Sequence, residues 1–343
     1  MSRPISKKYF YWSNLGGDAV QIMNYDFGAY VADGREQYFW EINGSRINKD
    51  DGKPMSKALR FPDSLLGFLY MDADEVEPFF QQLYTDLWQF TLTQEQEYVD
   101  DAFVVLDELA EKHIYFWELC LDYKWRIAHA KKSGDYSDNI LRLQVASAMP
   151  GAMRRIQLQL LDLFENVLDI DGEKKPVRKK LAAFYHDRGD EAFKFAQQPM
   201  SFELIDEETF AEVLHPNSIY DLIDYHVREC IRQEVRLRRC KNCGRWFAIM
   251  GRSTAEYCDR PVDERGRTCK DVGAIALWTK NKKTDTLFND YRREYKKRFA
   301  RTKVGKYDTA TLYAWGEQAR AKVEECRAEK ITADEFHEWL ENS

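Results

Sequence analysis

Cys240, Cys243, Cys258 and Cys269 place four thiols within thirty residues of a 343-residue chain. Thiolate sulfur is a soft ligand, and four of them make the closed tetrahedron that zinc adopts in structural sites. Cys240 and Cys243 stand two residues apart, a spacing at which one tight turn aims both sulfurs at a common ion. Gly244 can take the backbone angle such a turn requires. Cys258 and Cys269 would complete the set, although ten residues separate them. The sequence therefore predicts a structural Zn2+ on Cys240, Cys243, Cys258 and Cys269, with ordinary buried thiols as the alternative. Trp246, Phe247 and Tyr257 are candidates to shield it. A zinc closed by four sulfurs has no open position, so it would stabilise structure rather than activate water.

The second candidate chemistry is cationic. Lys280, Lys282 and Lys283 open a charged segment that runs to Lys306. Within it Arg293, Lys297 and Arg301 recur every four residues, while Phe288, Tyr291, Tyr295 and Phe299 recur at three- and four-residue steps. Helical geometry puts these on two faces, an aromatic one to bury and a cationic one to expose. Arginine forks and lysine ammonium groups on such a face can contact successive phosphates of DNA or RNA. A protein partner, or solvent alone, are the other occupants of a charged helix face. Residues 236–306 carry 21 Lys or Arg against 8 Asp or Glu, a local excess of 13 positive charges. The whole chain stands at −7, which leaves −20 on the remainder. That asymmetry can draw a polyanion to one region, or draw the two regions to each other.

An enzyme finds less support. His226 and Cys230 are four apart on an expected helix and could bind a second ion or form a thiol–imidazole pair, but packing and local hydrogen bonding are the favoured reading. His186-Asp187 are adjacent on a helix and diverge, and no GxSxG elbow accompanies them. His113, His129, His215 and His337 have no partner at a telling spacing. The acidic runs Glu95-Gln96-Glu97 and Asp206-Glu207-Glu208 read as solvated or capping residues. There is no phosphate-binding loop or dinucleotide fingerprint, and Gly16-Gly17 signals only a turn.

The elements that must position these groups are mostly helical. Before residue 60 the chain shows short aromatic runs, Tyr9–Trp12 and Gln37–Ile42, with turns at Asp33-Gly34 and Asn43-Gly44 and a polar loop over 48–53, which predicts strands or hairpins. From Asp74 apolar residues recur at helical spacing: Val76, Phe79, Phe80, Leu83 and Leu87, then Val99 to Ile127 as one long helix or two with a break near His113. Gly134 marks a loop and Pro150-Gly151 a punctuation point. Helix is expected again over Ile156–Leu168, Leu181–Tyr185, Ala192–Ala196 and Ser218–Val235, with a short strand at Phe202–Ile205. The stretch from Ala274 to Trp278 should continue a helix that starts near Cys269. Leu312, Trp315, Ala319, Val323, Phe336, Trp339 and Leu340 mark closing helices.

The fold class expected is mainly α with a small β contribution. A helical domain with short N-terminal strands, 1–235, should precede a treble-clef or ribbon-like four-cysteine module with basic helices, 236–343. No apolar run approaches the length of a membrane span, no secretory signal follows the basic N-terminus, and seven cysteines make an odd set for disulfides. These features point to the cytoplasm.

Cys240-Lys-Asn-Cys243-Gly-Arg-Trp-Phe247, Tyr257-Cys258, Thr268-Cys269-Lys-Asp-Val-Gly-Ala274, Tyr291–Phe299 and Tyr313–Arg320 together resemble a family of bacterial proteins with no assigned reaction, found mainly in Gram-positive species. The likeness is strongest over residues 215–343. The Cys240–Phe247 stretch is also similar to the first half of the zinc module in CGNR-type bacterial transcription regulators. That resemblance implies Cys240 and Cys243 as the first ligand pair, Cys258 and Cys269 as the second, and a nucleic-acid-binding role. The chain departs from it at the Cys-Gly-Asn-Arg tetrad, where Cys269-Lys-Asp-Val-Gly273 stands instead.

Overall fold

Asp33 and Gly34 turn the chain back on itself with φ of 51° and 70°, the pair of positive angles that matches the twist of a two-residue hairpin. In the computed structural model, which describes residues 8–11, 21–42, 45, 55–205, 208–249, 254–273, 285–306 and 308–343, this turn joins β2 (Gln21–Ala32) to β3 (Arg35–Ile42). β1 (Lys8–Tyr11) pairs with β2, and β4 (Ser56–Arg60) with β3. A second hairpin, β5 (Met200–Leu204) and β6 (Phe210–Leu214), reaches the same sheet from far along the chain. The strand order is β4-β3-β2-β6-β5, with Ala29 opposite Leu214 where β6 meets β2. Gly16-Gly17, Asn43-Gly44, 48–53, Asp206 and Glu207 lie outside the described residues.

The intervening chain is helical: α1 (Asp63–Leu69), α2 (Ala73–Thr93), α3 (Gln96–Lys112), α4 (Tyr115–Ser133), α5 (Asp138–Leu141), α6 (Leu143–Leu163) and α7 (Val177–Arg188). α2 packs on α3 and α6, and α3 on α4. Their apolar stripes, among them Phe80, Leu83, Leu87, Leu106, Phe116 and Leu160, are fully enclosed. The expected break at His113 is present: that residue ends α3 with extended backbone angles. Gly134 closes α4 in the left-handed conformation.

Two expectations are corrected. Pro150 does not punctuate; it lies inside α6 and is buried, so the missing N–H is tolerated by a helix held through packing. Ala192–Ala196 is not helical. Its backbone groups are captured by side chains instead: Tyr185 donates to the Phe193 carbonyl, Tyr220 to that of Lys194, and Arg228 to that of Ala196 at 2.6 Å. Asp224 accepts from the Ala196 N–H at 2.8 Å. With donors and acceptors met in this way, the segment has no need of a helical ladder.

Ser218 caps α8 (Ile219–Arg232), which is followed by the ribbon β7 (Leu237–Arg239) and β8 (Trp246–Ala248). The later helices are α9 (Thr286–Lys303), α10 (Thr309–Arg327) and α11 (Ala333–Asn342), capped by Asp285, Asp308 and a Thr332–Glu335 capping box. The chain thus has a mainly helical fold with minor strand content, in which N-terminal helices precede the cysteine cluster and further helices. It divides into two compact units, Met1–Arg238 with Arg245–Ser253, and Arg239–Gly244 with Thr254–Ser343. Among the described residues no helix is long and apolar enough to cross a membrane.

The core of the first unit contains a closed polar network. Tyr38 Oη lies 2.9 Å from Glu36 Oε2, 2.9 Å from Ser64 Oγ and 3.2 Å from His226 Nε2. His226 Nδ1 is 2.7 Å from the Leu222 carbonyl, so Nδ1 carries the ring proton and Nε2 accepts. Burial holds His226 down at about 4, so the ring is neutral. Tyr38 donates its phenolic O–H to Glu36 Oε2, and the Ser64 N–H donates to Glu36 Oε1 at 3.2 Å. Burial pushes that carboxyl up to about 7 against hydrogen bonds from Ser64 and Tyr38. Cys230 is fully buried with its thiol pushed well up by burial, and no imidazole–thiolate pair forms between it and His226.

A folded pKa near 7 against an ordinary 4.5 means that the folded state binds the proton more tightly. This stability is full below pH 4.5 and is lost as pH rises to about 7, on the order of 3 kcal/mol in all. Glu36→Gln removes the titration and keeps one carbonyl oxygen to accept from Tyr38 or Ser64 N–H. Urea titrations should therefore show the variant near wild-type stability at low pH and above it at high pH. A Glu36→Gln protein strongly destabilised at every pH would mean that Glu36 is ionised in the fold.

Candidate metal centre

Cys240 follows directly on β7, and Gly244, at φ +73°, lets the chain turn back toward β8. The Gly244 N–H closes the turn on the Cys240 carbonyl at 2.8 Å. This knuckle projects the first two sulfurs together. The ten-residue gap between Cys258 and Cys269 is closed by a small antiparallel turn. Pro261 and Thr268 form a β-bridge, Val262 N–H donates to the Arg267 carbonyl at 2.7 Å, and Gly266 turns at φ +71°. Asp263 braces the turn by accepting from the backbone N–H groups of Arg265 and Arg267 and from the Arg267 guanidinium. The last step brings the two cysteines side by side: Cys269 N–H donates to Arg260 O at 2.9 Å and Lys270 N–H to Cys258 O at 3.0 Å.

The chain becomes helical at Cys269 and is described to residue 273; the expected continuation over Ala274–Trp278 lies outside the described residues. Asp271 accepts from the backbone and hydroxyl of Thr268, fixing the entry. One sulfur from each of the four cysteines lies within 4.8 Å of the others. Cys243 Sγ and Cys258 Sγ are 3.7 Å apart, too far for a disulfide. All four thiols are free.

Those distances fit a metal. A zinc–sulfur bond of 2.3 Å sets the edge of a sulfur tetrahedron at about 3.8 Å. The environment of the sulfurs agrees. Burial opposes ionisation of Cys240, but backbone N–H groups of Cys243, Cys258 and Asn242 aimed at its sulfur bring it down to about 7. The Asn242 amide donates to Cys269 Sγ at 3.3 Å. Burial pushes Cys258 up to about 12, so a cation would be needed to hold all four as thiolates. Cys240, Cys258 and Cys269 are buried and Cys243 is exposed. Of the three aromatics expected around the metal, Tyr257 lies in the unit that holds the cysteines. Trp246 is packed into the core of the other unit, where its backbone N–H donates to the Tyr70 hydroxyl at 2.5 Å.

The cationic helix is α9, beyond Lys280, Lys282 and Lys283, which lie outside the described residues. Arg293, Lys297 and Arg301 are exposed, as are Arg292 and Lys296. Arg293 is held by Asp290 at 2.9 Å and Lys297 by Glu294 at 2.5 Å, each three residues earlier. Arg298 is different: it is buried, its guanidinium lies 4.2 Å from the centre of the Trp315 ring, and it donates to Glu294 and to the Leu340 carbonyl. The aromatic stripe packs inward for the most part. Tyr291 stacks on Trp315, Trp315 stacks on Trp339, and Tyr295 lies against Trp315, around Leu312, Ala319, Val323, Phe336 and Leu340. Phe299 is the exception, 45% exposed, because it falls past the end of that cluster.

Among the other histidines, His113 meets the Ser64 carbonyl, His129 stacks on Trp125, and His337 meets Asp290. His215 does have close partners, Asp26, Ser201 and Glu203. No spacing in the chain signals that grouping, because Asp26 and His215 are 189 residues apart.

Over residues 193–342 the chain is similar to a family of unknown function (DUF6076). That stretch takes in all four cysteines and α9 to α11. No curated protein and no solved structure matches the chain.

Gly273 gives the centre a specific vulnerability. A Cβ built there would meet the Tyr257 ring at 2.2 Å to 2.9 Å. Gly273→Ala should destabilise the cysteine-bearing unit by about 1–3 kcal/mol through overpacking, read as a lower melting temperature. Adding Tyr257→Ala should recover part of the loss; no recovery would place the strain elsewhere.

Proposed function

We propose that Cys240, Cys243, Cys258 and Cys269 hold one structural Zn2+, and that the exposed face of α9 contacts the backbone of DNA or RNA in a bacterial regulatory protein. The observation that carries the first half is the convergence of four sulfurs within 4.8 Å. The ion would tie the knuckle to the Cys258–Cys269 turn and supply folding free energy, with no position left for substrate. The second half is supported by the exposure of Arg292, Arg293, Lys296, Lys297 and Arg301 on one helix, and by the likeness of Cys240–Phe247 to CGNR-type regulators. The acids beside Arg293 and Lys297 do not bar phosphate. Surface ion pairs are worth no more than about 1 kcal/mol, so an oxygen of phosphate can displace them.

A zinc-stabilised protein-interaction adaptor without catalytic activity is the alternative, and one observation favours it. Asp290 and Glu294 offset part of the positive charge on the helix that would have to meet the polyanion.

Two measurements test the pair of claims separately. The purified chain should carry about one zinc per molecule, and serine at Cys240, Cys243, Cys258 or Cys269 should lower that ratio together with the melting temperature. A full metal content in all four variants would refute the site. Binding to DNA and RNA should fall steeply with salt. In an Arg293/Lys297/Arg301→Ala protein of unchanged zinc content, it should weaken by about tenfold or more with a shallower salt slope. Equal binding in that variant would remove α9 as the contact. No binding at low salt, with a protein partner retained after nuclease treatment, would select the adaptor.

A further inference from the structure

His215 lies just past β6, and its ring gathers groups from the strands on either side. Nδ1 is 2.8 Å from Asp26 Oδ1 on β2. Nε2 is 2.8 Å from Ser201 Oγ and 2.8 Å from Glu203 Oε1, both on β5. The Ser201 hydroxyl donates to Glu203 Oε1 at 2.5 Å. The order β2-β6-β5 puts the strand leading to His215 between its partners. Ser201 and Glu203, two apart on β5, share a face, and the exposed Phe202 and Leu204 point to the other. The site opens to water: the side chains of His215, Asp26 and Glu203 are 21%, 32% and 32% exposed.

Carboxylates at both ring nitrogens suit an imidazole only when it carries two N–H groups. Burial works against that charge, but Asp26 and Glu203 outweigh it and raise the pKa of His215. The charged groups facing the ring are these two, from β2 and β5; on β6 itself Glu212 is turned to Arg232 at 3.4 Å. When the ring loses a proton, Nδ1 and Nε2 are no longer equivalent. Asp26 still needs the Nδ1–H. At Nε2 the Ser201 hydroxyl can turn away from Glu203 and donate into the new lone pair. The neutral state is then Ser201 O–H to Nε2 and Nδ1–H to Asp26, a nucleophile, a base and the carboxylate that orients it.

We propose that Ser201, His215 and Asp26 form a nucleophilic site for acyl esters, with Glu203 as its gate. Ser201 Oγ bonds to the ester carbonyl carbon while its proton passes to Nε2. The bond to the leaving alcohol breaks, and the alcohol takes that proton, leaving an acyl group on Ser201. Water then attacks the acyl carbon and gives a proton to Nε2; the bond to Ser201 breaks, its oxygen recovers the proton, and a carboxylic acid departs. Asp26 stabilises the imidazolium in both steps. Glu203 holds the resting state closed by binding the Ser201 proton and the Nε2–H together. A relay of nucleophile and base suits esters with a good leaving group, such as aryl acetates.

The test uses the full chain, a fluorophosphonate probe and mass spectrometry to locate the adduct, between about pH 6 and about pH 9. Ser201 should be labelled, increasingly as pH rises, and aryl acetate hydrolysis should follow the same profile. Ser201→Ala should abolish both, and His215→Gln and Asp26→Asn should each reduce labelling by about tenfold or more. Glu203→Gln should raise labelling at neutral pH by about tenfold and move the profile to lower pH, since one lost carboxylate lowers the imidazole pKa by about one unit. An ion cluster with only a structural role would not yield that gain. Absence of a Ser201 adduct in the wild type at the highest pH overturns the proposal, as does an adduct that His215→Gln leaves unchanged. Circular dichroism of each variant shows whether a loss reflects unfolding, and the wild-type profile decides the matter if Glu203→Gln does not fold.

Discussion

The small turn between Cys258 and Cys269 is the constraint on which the cysteine centre depends. Two cysteines spaced by two residues meet through one knuckle, whereas two spaced by ten meet only if the chain between them folds back. The Pro261–Thr268 bridge does this, braced by Asp263 and left-handed Gly266. Everything around the sulfurs follows from that closure. Cys269 arrives at a helix start, Asn242 reaches its sulfur, and Tyr257 comes close enough to Gly273 that a Cβ there would force the ring to shift. The arrangement sets four sulfurs close together, three of the cysteines buried, in a geometry able to hold a metal ion.

The same unit shows how one sequence run can serve two purposes. Along α9, Arg298 is a packing residue while its neighbours Lys296 and Lys297 are surface charges. Its guanidinium lies over Trp315 and its donors are used on Glu294 and the Leu340 carbonyl, the planar-fork chemistry that lysine cannot reproduce. The Tyr291, Trp315 and Trp339 stack gives this small helical core most of its aromatic surface. The cationic face is therefore carried on a helix anchored from behind, rather than on a free arm.

In the first unit, the recurring principle is that buried polar groups find partners by choosing protonation states and by substituting for missing ladders. Burial raises the Glu36 carboxyl to about 7 and lowers His226 to about 4, and Tyr38 lies within hydrogen-bond distance of both. Residues 193–196 give up helical hydrogen bonds because four side chains meet their backbone groups. Beside β6 in the same sheet, burial works against the charge of His215, while Asp26 and Glu203 outweigh it and raise its pKa. Environment separates the two imidazoles: burial lowers the pKa of the enclosed His226, and two neighbouring acids raise that of His215.

The sequence by itself determined whatever is encoded within a few residues. The Cys240–Cys243 knuckle with Gly244, the Asp33-Gly34 hairpin, the Ser218 start of α8 and the three- and four-residue apolar spacing of the helices were all legible, because each depends on local angles and near-neighbour hydrogen bonds. The tertiary structure alone decided that Pro150 would be absorbed by a packed helix, that Ala192–Ala196 would be held open, and that Trp246 would join a core in the other unit from the cysteines. It alone brought Tyr38 to His226 across 188 residues and Asp26 to His215 across 189. Such contacts depend on the order in which strands enter the sheet and on which helices close over it, and no periodicity along the chain records that order.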